Sequence, residues 1–470
     1  RSLGDAYKAT TGHDVDKGMR DFMRGKKWSD AVAAGKADAL MEYARLDGVY
    51  CLDLWKEHSP KWTNIERALS AHTRVLIHRG VHVDREALDK AITKIRAIKD
   101  GIHFSWEDEG RAKTSPIAIR QKCEAEGIPC PSSFAKDNKE CLEWENKYGD
   151  SNPWIRQLRT VRSCSHLLPK LESIKKRIRE DGTMPVYLKF NGARTGRLSG
   201  AAGVNMQNLP RGEMFGVNLR HLFIPAPGKK FVICDLSQIE PRVLHWLAGD
   251  TEFLERVKNG EPVYQAHAAQ TMGYTGNDLK TEIPKDYQLA KARVLGLGYG
   301  CGADKFRIVA EAMTGLKLTK SDAEETVSKY RIRNPKITGY WKTIYQELVN
   351  RKYPMWQTQP PNTPITDLKL KSGRKLFYTW DDVQMTYGGK LTENVCQATA
   401  RDIFAEQLLK IEAAGYPIVF HVHDEVVAEV DADKAEEALA HITEIMSTPP
   451  EWAKDLPLAA EGGCFDYYDK

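Results

Sequence analysis

The chain has 470 residues, 41% of them hydrophobic and 28% charged, with a formal net charge of +5. That length exceeds one ordinary core and predicts about three domains. No stretch approaches the roughly 18 uninterrupted apolar residues of a membrane span, so a membrane is not an expected partner. Nine cysteines are an odd, scattered set, which argues against a disulfide framework and for a reducing cytosol. The spacings of Cys123, Cys130 and Cys141 fit no zinc ribbon well. The opening Arg1-Ser2-Leu3-Gly4-Asp5 has neither an initiator Met nor a signal-peptide apolar run, so the chain is expected to begin inside a longer protein or an engineered sequence.

In chain order, residues 1–60 read as mixed helix and loop, with an Ala-rich helical pattern from Ser29 to Trp55 and a break at Ser59-Pro60. Trp62 to Lys99 is again helical, interrupted by a turn at Arg79-Gly80 before the short apolar segment Val81-His82-Val83-Asp84. Gly and Pro punctuate residues 101–153, which predicts loops there. A basic helix follows from Trp154 to Glu180, ended by Asp181-Gly182. Phe231-Val232-Ile233-Cys234-Asp235 has the pattern of a short buried strand, and Ser237 with Glu240 three residues on predicts a capping box opening a helix. Residues 251–350 are helical by period. Short apolar runs at Arg374–Tyr378 and Tyr416–Val430 predict strands, so strands flank a large helical insertion.

Charge is unevenly spread. Residues 151–200 hold eleven Lys and Arg against three acids, while residues 421–470 hold thirteen acids against three Lys. The basic stretch suits phosphate neutralisation, and by itself it also suits a solvated helical face. The acids that bear most chemistry are Asp235, at the end of its strand, and Asp424 inside Ile418-Val419-Phe420-His421-Val422-His423-Asp424-Glu425-Val426-Val427. That second segment predicts a tight hairpin pushing His423, Asp424 and Glu425 out of a sheet edge. Two carboxylates on strands suit Mg²⁺ and in-line phosphoryl displacement. Hydrolases, nucleases and plain structural turns share that pattern.

Four segments narrow the choice. Asp235-Leu236-Ser237-Gln238-Ile239-Glu240-Pro241-Arg242 resembles the palm motif D-Y-S-Q-I-E-L-R of family A DNA polymerases, and His423-Asp424-Glu425 resembles their H-D-E motif. Lys291 with Tyr299-Gly300 is similar to the K-x7-Y-G core of their fingers helix. Thr195-Gly196-Arg197-Leu198-Ser199, followed by Asn205-Met206-Gln207-Asn208-Leu209-Pro210, is similar to T-G-R-L-S…N-L-Q-N-I-P. The likeness runs over roughly residues 61–470, and the wording around the palm is nearest the phage-type branch.

This resemblance implies an α+β right hand with a thumb, a palm built on an antiparallel sheet, and helical fingers. It implies a thumb at 61–190, palm at 191–248 and 385–470, and fingers at 249–384. Residues 1–60 would be the C-terminal remnant of a 3′–5′ exonuclease-like domain, because Tyr43-Ala44-Arg45-Leu46-Asp47 resembles its Y-x3-D motif. No D-x-E partner motif precedes it, so polymerisation without proofreading is expected of this sequence. Asp235 and Asp424 would hold two Mg²⁺ ions, for which Mn²⁺ can substitute, with Glu425 a secondary acid beside them. Gln238, Glu240, Tyr264, Lys291, Leu295 and Tyr299 would contact the incoming deoxynucleotide, Glu240 crowding the sugar 2′ position. Arg197, Gln207, Asn208, Gln397 and His423 would line the primer terminus and the minor groove of primer–template DNA. The family has Arg where this chain has Tyr287 and an aromatic where it has Leu295, so Lys285 or Arg293 is a candidate to compensate, and Tyr264, at a position often His in the family, would supply a further phosphate contact with His267 nearby. The implied enzyme is a monomer in the cytoplasm of a bacterial or phage-infected cell, and a processivity factor is left open. A single-subunit RNA polymerase or a catalytically silent nucleic-acid-binding subunit are the rival readings. Glu240 speaks against the first, and intact Asp235, Asp424 and Lys291 against the second.

Overall fold

The computed structural model describes residues 2–104, 106, 114–135, 138–201, 203–350 and 364–469. The chain forms two compact units, Arg1–Ala71 and His72–Lys470. In the first, α1 (Leu3–Thr11) starts from a capping box between Ser2 and Asp5, and α2 (Gly18–Phe22), α3 (Trp28–Ala33) and α4 (Ala37–His58) follow. The single Ala-rich helix expected from Ser29 to Trp55 is instead two helices, because Gly35 turns left-handed with φ +65°. None of the 22 residues of α4 is buried.

The second unit opens within α5 (Asn64–Arg79), which turns at Gly80 into β1 (Val81–Val83) and α6 (Arg85–Asp100). A side chain at Gly80 would meet the Met184 carbonyl at 2.8 Å, and its φ is +70°, so glycine is required where the sequence predicted the turn. The expectation of loops across 101–153 lies partly outside the described residues and is otherwise too simple. Ser115 and Asn138 cap α7 (Pro116–Ala125) and α8 (Lys139–Tyr148), which close around Ile119, Cys123, Phe134, Cys141, Trp144, Ile155 and Leu158. Gly and Pro between short helices hid their apolar spacing. Cys123 and Cys141 belong to this core, and burial pushes the Cys123 thiol up to about 12.

The basic helix is α9 (Pro153–Lys175), which buries Ile155, Leu158, Val161, Cys164, Leu167, Leu168, Leu171 and Ile174 as one stripe and leaves its cations on the other face. Short strands β2 (Thr183–Met184), β3 (Leu188–Lys189), β4 (Ser199–Gly200) and β5 (Phe223–Ile224) lead to β6 (Lys229–Leu236) and α10 (Ile239–Ala248). The helical insertion consists of α11 (Thr251–Lys258), α12 (Val263–Thr271), α13 (Leu279–Glu282), α14 (Pro284–Leu297), α15 (Ala303–Thr314), α16 (Lys320–Arg333) and α17 (Pro335–Val349). After it come the hairpin β7 (Pro364–Lys369) and β8 (Lys375–Thr379), then α18 (Trp380–Met385) and α19 (Gly388–Ala413). The chain closes with β9 (Ile418–Val422), β10 (Glu425–Asp431), α20 (Ala435–Ser447) and β11 (Ala460–Phe465).

The largest sheet has four strands in the order β11-β6-β10-β9, all neighbours antiparallel. Asp235 pairs across with Glu425 on one side and Glu461 on the other. The strand, helical insertion and strand order agrees with the sequence. Among the described residues no helix is long and apolar enough to cross a membrane.

A charged joint ties α5 to this sheet. Arg79 donates to Glu412 at 2.5 and 3.2 Å and to the Ile418 carbonyl, the Ile418 amide donates to Glu412 at 2.8 Å, and His72 stands 3.1 Å from the same carboxylate. Burial alone would raise the Glu412 carboxyl, but hydrogen bonds from His72, Arg79 and the Ile418 amide outweigh it and bring it from 4.5 to about 2. Its contribution to stability is therefore present above pH 4.5 and is lost as pH falls from 4.5 through 2. E412Q is expected to lose about 2 kcal/mol in a denaturant titration at pH 7 and to draw level with the wild type toward pH 2. An unchanged midpoint at pH 7 contradicts this account of the joint.

Candidate functional site

Two strand ends build the site. β6 runs to Asp235 and Leu236, after which Gln238 turns left-handed at φ 52°, ψ 47° and opens α10 as its cap residue. The capping box expected from Ser237 and Glu240 does not form, because that left-handed residue shifts the helix start past Ser237. The Ser237 amide bonds to the Ala459 carbonyl instead. The second strand end is the β9–β10 hairpin, whose two-residue turn is His423-Asp424 with His423 at φ 55°. The Leu236 amide donates to the Asp424 carbonyl at 3.3 Å, which fastens the turn to the end of β6. β10 lies between β6 and β9, and β9 is the edge strand of the sheet, so the hairpin sits at a sheet edge as the sequence predicted.

Glu425 is not pushed out beside its neighbours. It is buried at the start of β10 and accepts from the Tyr468 hydroxyl at 2.9 Å. Asp424 faces the site, half-buried, and its carboxyl is raised to about 6, by burial first and by the nearby Asp235 second. Arg197 opposes that rise, and it donates to Glu240 at 2.7 Å. Burial, then Arg197, lowers the His423 imidazole, so that ring is neutral at pH 7.

Gln207 holds the hairpin. Its buried amide donates to the His421 carbonyl at 2.6 Å and accepts from the His423 amide at 2.8 Å. Asn208 is exposed and Gln397, on α19, is half-buried, neither making a side-chain hydrogen bond within the described residues.

On α14 the stripe Tyr287, Lys291 and Leu295 is partly exposed, whereas Ala290, Ala292, Arg293, Val294 and Leu297 are buried. The helix stops before Tyr299, whose phenol burial raises well above its ordinary value and which is hydrogen-bonded to Cys396 of α19. Of the residues considered around Lys291, Arg293 and His267 are buried. Arg293 faces inward, lowered to about 10 by burial, donating to Thr271 at 3.4 Å and lying over the Tyr330 ring. His267 is fully buried and held well below its ordinary value by that burial. Tyr264 is buried with its ring edge-on to Tyr287 at 5.7 Å. Lys285 is exposed at the first turn of α14. An i+2 step on a helix reverses the face, which is why Arg293 cannot join the Lys291 stripe.

Sequence reasoning missed the residues that hold Arg197. Arg374 donates to Asp402 and to the Thr195 carbonyl, both at 2.7 Å, and Arg401 donates to the Gly196 carbonyl at 2.9 Å and to Asp402 at 3.2 Å. Gly196 has φ +86°, and a Cβ there would lie 2.5 Å from an Arg374 nitrogen. The available signal was Arg401-Asp402, a charged pair inside an otherwise apolar stretch of α19. Glu461, exposed and opposite Asp235 in the register, was also missed.

The donor set fits a hard divalent cation. Within the described residues no group of three or more His, Cys, Asp or Glu is arranged to hold a metal alone, and Mg²⁺ typically takes one or two carboxylates together with substrate phosphates. Burial and, second to it, repulsion from Asp235 raise the Asp424 carboxyl, and a cation would offset both.

Residues 132–469 match the family model described as DNA polymerase family A. The DNA polymerase of Bacillus phage SP02 is 30% identical over 467 residues, covering 86% of this chain and 71% of the phage protein. The thermostable DNA polymerase I of Thermus filiformis is 26% identical over 324 residues, covering 67% of this chain and 36% of that protein. Among solved structures, the POL domain of Pol1 from M. smegmatis in complex with DNA primer-template and dNTP aligns with a TM-score of 0.71 at 19% identity, covering 100% of this chain and 79% of that one. The fold is therefore that of a polymerase domain. The chain belongs to DNA polymerase family A, and its activity is that of a DNA-directed DNA polymerase.

Removing one of two repelling carboxylates should relieve the folded protein. D424N is expected to melt a few degrees above the wild type in metal-free buffer at pH 7, about 1–2 kcal/mol of relief, and Mg²⁺ should narrow the gap. A D424N protein that melts lower under both conditions contradicts the described repulsion.

Proposed function

We propose that this chain extends a primer on a DNA template by transferring deoxynucleotides from their triphosphates to the primer 3′-hydroxyl, with release of pyrophosphate. The observation that carries the reading is the fastening of the Asp424 turn to the end of β6, which sets two mutually repelling carboxylates side by side. Two Mg²⁺ ions, or Mn²⁺ in their place, held by Asp235 and Asp424, would supply activation of the 3′-hydroxyl and neutralisation of the charge developing on pyrophosphate. Glu425 supports that pair from behind, through the backbone it anchors with Tyr468.

The chain's own residues bind and orient. Lys291, a point charge on the open face of α14, grips the triphosphate. Leu295 lies one turn further along the stripe, and Tyr299 at its end stacks beside the templating base. Tyr264 shapes the nucleotide site indirectly, through the Tyr287 ring. Glu240 crowds the sugar 2′ position, with Gln238 beside it at the start of α10, and Arg197 fixes the Glu240 carboxylate. Arg197, His423, Asn208 and Gln397 face the primer terminus and minor groove, where acceptors common to all base pairs report geometry and not sequence. Gln207 acts on the DNA by holding the His423 turn.

On this reading the thumb is 61–190, with the cations of α9 toward duplex phosphates. The palm is 191–248 and 385–470, and the fingers are 249–384. Residues 1–60 are the remnant of an exonuclease-like domain. Supporting that assignment, Tyr43 is hydrogen-bonded to Asp47 on α4, a helix that buries none of its own side chains.

Single-nucleotide extension of a primer–template with dNTPs or rNTPs tests the reading. The wild type is expected to incorporate dNTPs, and E240A to lose at least about tenfold of the preference over rNTPs. Wild-type extension no better than that of D235N, or a wild type that prefers rNTPs, overturns it.

A further inference from the structure

α14 ends at Leu297, and Gly298, Tyr299 and Gly300 carry the chain off it, Gly300 with φ +78°. The last carbonyls of a helix lack partners inside it. Here the Gly298 carbonyl accepts from the indole Nε1–H of Trp341 on α17 at 2.9 Å. Neighbouring elements close on the same stretch. A Cβ on Gly298 would lie 2.7 Å from Leu244 of α10, one on Gly389 would lie 2.2 Å from the Tyr299 carbonyl oxygen, and one on Gly388 would lie 2.1 Å from the Trp341 carbonyl oxygen. The start of α19 therefore touches both backbones.

The Gly298 carbonyl belongs to the peptide plane that joins Gly298 to Tyr299. Glycine has no Cβ to restrict rotation of that plane, and packing contacts are weakly directional. The indole bond is directional. It fixes the orientation of the plane from which Tyr299 departs. Trp341 also walls a groove of about 530 Å³ with Gly300, Arg331, Lys342, Tyr345 and Tyr387, so its ring borders open space as well as the packed junction.

We propose that Trp341 is a positioning residue for nucleotide selection: its indole N–H, by holding the Gly298 carbonyl, sets the placement of Tyr299 and with it the strictness with which the nascent base pair is screened. The proposal rests on the reading of Tyr299 as the residue beside the templating base.

The test is single-turnover insertion of correct and mismatched dNTPs by the full chain on primer–template DNA with Mg²⁺, for the wild type, W341F and Y299A. W341F keeps the aromatic body and removes the donor. It is expected to lower the ratio of correct to mismatched insertion efficiency about fivefold, with unchanged affinity for primer–template and a melting temperature lower by no more than a few degrees. An unaltered ratio in W341F beside an altered ratio in Y299A overturns the proposal and leaves the role of Tyr299 standing. An unaltered ratio in both overturns the two together. Equal loss for correct and mismatched nucleotides marks a general packing role and also overturns it. Should W341F not fold, W341M, which also lacks the donor, is read in the same way, and failure of both to fold assigns Trp341 to the core.

Discussion

Asp235 and Asp424 repel each other, and the fold holds them together regardless. Asp235 is fixed as the last residues of β6 pair with two neighbouring strands, and Asp424 is fixed because the Leu236 amide binds its carbonyl and Gln207 clamps the turn on its other flank. Burial first and the approach of Asp235 second raise the Asp424 carboxyl to about 6. A polymerase has use for such a pair only when cations and phosphates come to it, so the cost in the free protein and the chemistry in the loaded one share one geometry.

Around this pair, a second layer sets direction. Arg197 would be free to swing were its own turn not held. Arg374 and Arg401 bind the Thr195 and Gly196 carbonyls, and both guanidiniums are gathered by the single carboxylate of Asp402. A buried charge cluster of this kind brings little net stability, and its value lies in fixing one arrangement. Through it the orientation of Arg197, and so of Glu240, is transmitted from α19 and the β7–β8 hairpin.

Much of this was legible in the sequence. The β6 strand, the β9–β10 hairpin and the helical insertion follow from apolar runs and period, and the four motifs bring Arg197, Asp235, Glu240 and Asp424 to one place. What failed did so for local physical reasons. The Ser237 capping box yielded to a left-handed Gln238 that no propensity anticipates. Asp424 belongs to the turn, whereas Glu425 begins β10 and is buried against Tyr468. Arg293 lies two residues from Lys291 and so falls on the inward face. The clamps from Gln207, Arg374 and Arg401 span long stretches of sequence, and only folding reveals their partners.

On the proposed function, Asp235 and Asp424 together would form the metal-holding centre of DNA synthesis. Anomalous diffraction from crystals of the chain with primer–template DNA, a non-hydrolysable dNTP and Mn²⁺ addresses it directly. Mn²⁺ peaks held by Asp235 and Asp424, with the triphosphate at the same site and Lys291 on its phosphates, are expected. Peaks held elsewhere, or a triphosphate bound away from both aspartates, would contradict it.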